Sequence, residues 1–123
     1  GQDATRAVAA GVDGLIVSNH GGRQLDAVPA SIDLLEAIRS SVGPKVPLLF
    51  DSGVRSGLDV ARALAAGADF VMCGRAFMFG VAALGEAGAD HVLAVLKDEL
   101  ENTMVQLGLE RLADLPTALS RPS

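Results

Sequence analysis

The chain has 123 residues and a net charge of −5, with half its residues hydrophobic and a fifth charged, which argues for one globular unit and against disorder, collagen-like repeats and low-complexity linkers. Ten basic residues against 15 acidic, with no basic cluster, no Trp or Tyr and only four Phe, argue against a nucleic-acid partner and leave few stacking platforms. A single Cys excludes an internal disulfide framework or a four-ligand zinc site and favours a reducing compartment, so a cytoplasmic location is expected.

In chain order, Ala7-Val8-Ala9-Ala10-Gly11 reads as the end of a small-residue helix, with Gly11 free to take the left-handed conformation beyond it. Leu15-Ile16-Val17 follows as a short apolar run with little polar alternation, the look of a buried parallel strand. Ser31 to Ser41 carries Ile32, Leu35 and Ile38 at helical spacing, with Val42 just beyond and Asp33 and Glu36 early, where carboxylates favour a helix N-terminus. Val46-Pro47-Leu48-Leu49-Phe50 is a second apolar run, and Ser56-Gly57-Leu58-Asp59 resembles a capping box opening the next helix. Ala63-Leu64-Ala65-Ala66-Gly67 then repeats the first pattern and leads into Phe70-Val71-Met72-Cys73 as a third strand. From Asp90 as N-cap, Val92, Leu93, Leu96, Leu100, Met104 and Leu107 form the apolar stripe of the longest helix, stopped by Gly108. The tail, with Leu112, Leu115, Pro116 and Leu119, has material for a helical turn or two before Arg121-Pro122-Ser123 frays. No apolar run approaches the roughly 20 residues of a membrane span, and Gly1-Gln2-Asp3 does not open a signal peptide.

Alternating helices and strands without an internal boundary make residues 1–123 one α/β unit with a parallel sheet. Three strands are few for a doubly wound sheet, and a closed (β/α)8 barrel takes about 250 residues. The chain is therefore either a small open α/β unit or a piece of a barrel.

In such proteins the loops after the strands carry the chemistry. Ser18-Asn19-His20-Gly21-Gly22-Arg23-Gln24-Leu25-Asp26 brings a histidine able to accept a proton and an arginine able to grip a carboxylate over one spot. The bland alternative is a surface Arg23–Asp26 pair beside a strand-end His20. Asp51-Ser52-Gly53-Val54-Arg55-Ser56-Gly57 runs onto a helix N-terminus, where free amides, the helix dipole and Arg55 suit an anion and Asp51 suits ligand hydroxyls. Its plain alternative is an ordinary turn. Gly74-Arg75, in the loop Gly74 to Gly80, adds a second arginine, and the two could converge on one phosphate. Cys73 reads as a buried structural thiol, His91 as a surface residue, the methionines as core fillers and Lys97, Asp98, Glu99 and Glu101 as a solvated face.

These three segments closely resemble the FMN-dependent α-hydroxy-acid oxidases and dehydrogenases, among them the glycolate, lactate and mandelate enzymes. The resemblance runs along nearly the whole chain and weakens after about Gly108; the His-Gly-Gly-Arg-Gln block is its most specific part. It implies a TIM (β/α)8 barrel of which this chain is the C-terminal part, strands six to eight. It further implies that His20 is the catalytic base, buried beside Arg23, and that Arg23 binds the substrate carboxylate. Ser18 would lie against the flavin and Asp51 would bind the ribityl hydroxyls. Ser52, Gly53, Val54 and Arg55 with Gly74 and Arg75 would hold the rest of FMN, chiefly its phosphate. The implied reaction oxidises a small (S)-2-hydroxy acid to the 2-keto acid.

The family's flavin-edge lysine, histidine-orienting aspartate and substrate-contacting tyrosines belong to earlier segments, and this chain has no tyrosine. The partners expected are therefore the small substrate and either the upstream half of the same barrel or a second copy; family analogy adds a homotetramer, and peripheral membrane association of the complete enzyme stays open. Two other readings compete. One is a non-catalytic FMN- or phosphate-binding half barrel; the other is a different phosphate-binding barrel, such as an FMN-linked isomerase, whose chemistry does not call for the His20–Arg23 pair.

Overall fold

The computed structural model describes residues 1–118. Strands β1 (Leu15–Val17), β2 (Leu48–Phe50) and β3 (Phe70–Val71) form one parallel sheet in the order β1-β2-β3. Helices α1 (Gln2–Ala9), α2 (Ser31–Val42) and α3 (Gly57–Ala65) precede them in turn, and α4 (Arg75–Leu84) and α5 (Gly88–Leu107) follow β3. Parallel neighbours in sequence order are what successive strand–helix units produce. The internal repeat is a structural one: past the last helical residues of α1 and α3, Gly11 (φ +92°) and Gly67 (φ +107°) turn the chain down towards β1 and β3. Only glycine takes such angles without strain.

The register sets Ile16, Leu49 and Phe70 in one row across the sheet and Val17, Phe50 and Val71 in the next. Successive residues point to opposite faces. The second row joins Leu35, Leu48, Val54 and Ala63 in the main core. The first row faces the other way and is left open, with Ile16 61% and Phe70 63% exposed. A sheet apolar on both faces is the kind that is covered on both in α/β proteins.

The end of the sheet where the strands begin is tied by one side chain. The half-buried Arg39 of α2 donates from Nε to the Gly67 carbonyl at 2.9 Å and from Nη1 to the carbonyls of Gly43 at 2.8 Å and Val46 at 2.9 Å. Its Nη2 pairs with the Asp69 carboxylate, which also accepts the Leu48 amide at 2.8 Å.

Several boundaries differ from the sequence reading. β2 begins at Leu48 rather than Val46, and β3 ends at Val71, so Cys73 lies past the strand and is only half-buried. The stretch from Gly74 to Gly80, read as a loop, is mostly the start of α4. α5 begins at Gly88, with Asp90 in its first turn rather than at the cap. The cause of both misreadings is a close helix crossing: a Cβ on Gly88 would stand 2.2 Å from the Gly80 carbonyl oxygen, and one on Gly80 would stand 2.4 Å from Val92 Cγ2. Gly80 inside α4 thus marks a contact and not a break. Gly88→Ala must push two backbones apart, and a loss of about 3 kcal/mol is expected, read as a lower denaturation midpoint.

By length and composition alone, Arg75–Leu107 is apolar enough to cross a membrane. It is not one rod, because the 3₁₀ turn Gly85–Ala87 breaks it and α4 packs on α5. The tail forms a 3₁₀ segment, Leu112–Ala118, with Leu115 buried against α3 and α5. Leu119 and Arg121-Pro122-Ser123 lie outside the described residues.

Candidate active site

Because the strands are parallel, their C-terminal ends share one side, and the segments after Val17, Phe50 and Val71 meet there. A 3₁₀ turn, His20–Gly22, follows β1 with three successive left-handed residues: His20 (φ +54°), Gly21 (+65°) and Gly22 (+75°). The sequence supplies glycine for two of these angles. At the third, the His20 amide donates to Ser18 Oγ at 3.0 Å.

Three further hydrogen bonds close the turn. The Gly21 amide donates to Asn19 Oδ1 at 3.0 Å and shares Ser52 Oγ, at 3.2 Å, with the Asn19 amide, also at 3.2 Å. Ser52 itself sits at φ +85° and donates its hydroxyl to Asp51 Oδ1 at 2.7 Å. A hydroxyl offers one donor and two acceptor sites. All three of Ser52's are engaged within the chain, so the hydroxyl ties the loops together, and what Ser52 can offer to the cleft it lines is its backbone.

The anion site expected at the start of α3 is also corrected. The Arg55 and Ser56 amides both donate to Asp59 Oδ2 at 3.1 Å, the Asp59 amide donates to Ser56 Oγ at 3.1 Å, and the Gly57 amide donates to Glu99 Oε2 of α5 at 2.7 Å. That helix start is closed by its own capping box. The N-terminus of α4 is different: Gly74 is its N-cap and no side chain caps it. Its first amides are donors without intrahelical partners.

Around that helix start, a cleft of about 420 Å³ collects His20, Arg23, Asp51, Ser52, Gly53, Val54, Arg55, Gly74 and Arg75. Of these, Val54 is buried in the core and can offer only its backbone. Nothing lies within 4 Å of where a Cβ on Gly53 or Gly74 would be, so the backbone there is open to a ligand. Arg75 reaches across to donate from Nη2 to the Gly21 carbonyl at 3.3 Å, tying α4 to the His20 turn and leaving most of its guanidinium donors free. Arg23 and Arg55 are exposed and take part in none of the ion pairs among the described residues; the alternative Arg23–Asp26 pair does not form.

His20 is exposed rather than buried, on the rim between this cleft and a second, apolar one of about 600 Å³ beside β1. Ser18 lines only the second. Asn19 escaped the sequence reading, although Asn two residues before a glycine is a recognisable turn signal. Burial, with the Asp59 charge as a smaller cause, raises the Cys73 thiol above its ordinary value, which keeps it protonated and inert at neutral pH.

The arrangement offers an exposed imidazole, three guanidiniums, a helix start and open glycine backbone around one hollow. These donors suit a phosphate and a carboxylate, and the second Asp51 oxygen is available to a hydroxyl. The donor set fits a phosphorylated polyol cofactor.

The sequence matches the family described as FMN-dependent dehydrogenase over residues 1–121. It is 49% identical over 122 residues to an L-lactate oxidase of Alicycliphilus denitrificans, covering 99% of this chain and 33% of that protein. It is 51% identical over 114 residues to a peroxisomal (S)-2-hydroxyacid oxidase of Arabidopsis thaliana, covering 93% of this chain and 31% of the relative. The crystal structure of a monotopic membrane protein, (S)-mandelate dehydrogenase, superposes with a TM-score of 0.92 at 43% identity, over 98% of this chain and 32% of that one. The chain thus spans about a third of the length of the relatives it matches. One of these relatives is peroxisomal and one membrane-bound, so likeness to them fixes no compartment.

Proposed function

The chain belongs to the FMN-dependent dehydrogenase family, and we propose that residues 1–123 are the C-terminal part of its barrel, strands six to eight, in an enzyme that oxidises a small (S)-2-hydroxy acid to the 2-keto acid. The observation that carries this reading is that one cleft at the strand ends gathers His20, Arg23, Asp51, Arg55 and Arg75. The open apolar row of Ile16, Leu49 and Phe70 supports the barrel part of it, as an inner face awaiting the remaining strands. The upstream half of the same barrel is its natural cover.

In this reading Arg23 grips the substrate carboxylate in a two-pronged contact and turns the hydroxyl-bearing carbon towards His20. His20 accepts a proton from the substrate on an imidazole nitrogen, and a carboxylate from the upstream half would stabilise the imidazolium. Bound FMN supplies the acceptor for the two electrons. Arg55, Arg75, the Gly74 backbone and the open start of α4 hold its phosphate, with the Gly53–Val54 backbone beside them. Asp51 accepts from the ribityl hydroxyls, and Ser18, next to His20, lies against the flavin. Closing the barrel would also remove water from around His20, which its rim position in the chain alone does not.

The test is FMN retention. Arg55→Ala with Arg75→Ala removes two charge-assisted contacts at about 1.5 kcal/mol each, so FMN affinity falls roughly a hundredfold in a fluorescence titration of the complete apoenzyme. Unchanged affinity would move the phosphate elsewhere. The exposed His20 and uncovered sheet face favour a second reading for the chain on its own, a binding half barrel without turnover.

A further inference from the structure

Ser52 occupies a position that glycine would fill without strain. Its φ of +85° is one that side chains rarely adopt, and Gly53 beside it has the same angle. A strained non-glycine residue in a loop at the mouth of a site is a reason to look for what its side chain does. Here the side chain is a three-way tie. Ser52 Oγ accepts the Asn19 and Gly21 amides, which bracket His20 on either side, and donates to Asp51 Oδ1. The β1 turn also has its own short-range bonds: the Gly22 amide donates to the Asn19 carbonyl at 3.1 Å, the Arg23 amide to the His20 carbonyl at 3.4 Å, and the His20 and Gly21 amides to the side chains of Ser18 and Asn19. Among the described residues, only Ser52 and the long contact from Arg75 tie it to another segment.

We infer that Ser52 is a positioning residue for His20: its hydroxyl locks the left-handed turn that aims the imidazole into the cleft, and it fixes the Asp51 carboxylate in the same act. This rests on the reading of His20 as the base. The mechanism is geometric. A reacting group on an exposed turn loses rate when the turn samples other conformations, because only a fraction of the population has the imidazole in line. One hydroxyl that saturates two amides flanking the same residue removes that freedom.

Two variants in the complete, flavin-loaded enzyme separate this role from simple stability. Ser52→Gly relieves the φ strain and deletes the hydroxyl; Ser52→Ala deletes the hydroxyl and keeps the strain. The glycine variant is expected to melt no lower than the parent and to retain FMN by its visible spectrum. Hydrogen exchange of the amides over residues 19–22 should rise at least tenfold in it, with β2 unchanged. Its rate constant for flavin reduction at saturating 2-hydroxy acid should fall at least tenfold. The alanine variant should lose the same rate and melt lower. Parental exchange or parental flavin reduction in the glycine variant overturns the inference. His20→Ala measured alongside keeps the two ideas apart: if it alone reduces flavin at the parental rate, the base assignment fails, whereas faster exchange in the glycine variant would still establish the tie.

Discussion

His20→Ala in the complete, flavin-loaded enzyme is expected to slow flavin reduction by a 2-hydroxy acid about a thousandfold, the middle of the range for losing a positioned general base, while FMN stays bound. The two halves of that result have separate structural causes. His20 stands on the rim of the cleft, on a turn whose own backbone bonds to Ser18, Asn19 and Ser52 do not use the imidazole. Truncating the ring therefore leaves the turn, Arg55, Arg75 and the open start of α4 in place. Anaerobic stopped-flow absorbance of the flavin reads the rate, and ultrafiltration reads retention. A parental rate would take the base role from His20; loss of FMN would instead make the imidazole a cofactor contact.

A second large effect concerns the 123-residue chain by itself. A homogeneous preparation is expected to show no measurable oxidation of lactate, glycolate or mandelate, and to self-associate. In the row of Ile16, Leu49 and Phe70 the two outer residues are exposed and Leu49 is half-buried, and β1 and β3 are both unpaired edges among the described residues. Apolar faces and free strand edges promote association. Co-expression with the upstream part of such a barrel should restore a soluble species and turnover. Turnover by the chain alone would refute the claim that residues from the other part complete the site, and a monodisperse monomer would show that the open face needs no cover.

How legible this was depended on whether a residue's role was local. The Gly11 and Gly67 corners, the Ser56–Asp59 capping box and the Gly108 stop each follow from a few adjacent residues, and the structure bears them out. α4 did not, because Gly80 serves a contact with Gly88 in another helix, and no local rule shows that. The supposed anion site before α3 was a conflict within the sequence reading: if Asp59 caps the helix, its carboxylate already takes the Arg55 and Ser56 amides. The gathering of His20, Arg23, Asp51 and the two arginines at one end was foreseeable from parallel strand order alone. The tie that Ser52 makes was not legible, since two of its partners come from a loop more than thirty residues earlier.

Arg39 and the cleft lie at opposite ends of the same three strands. The clasp gathers the carbonyls and the carboxylate of two connections, α2 to β2 and α3 to β3, without touching any residue of the hollow. Substitutions in the upper loops thus leave the fastening of the lower end intact, whereas a change at Arg39 is felt at both helix-to-strand joints it spans. Such a molecule can drift in chemistry while remaining conservative in architecture, and a search for altered substrate choice among variants should leave Arg39 and Asp69 alone.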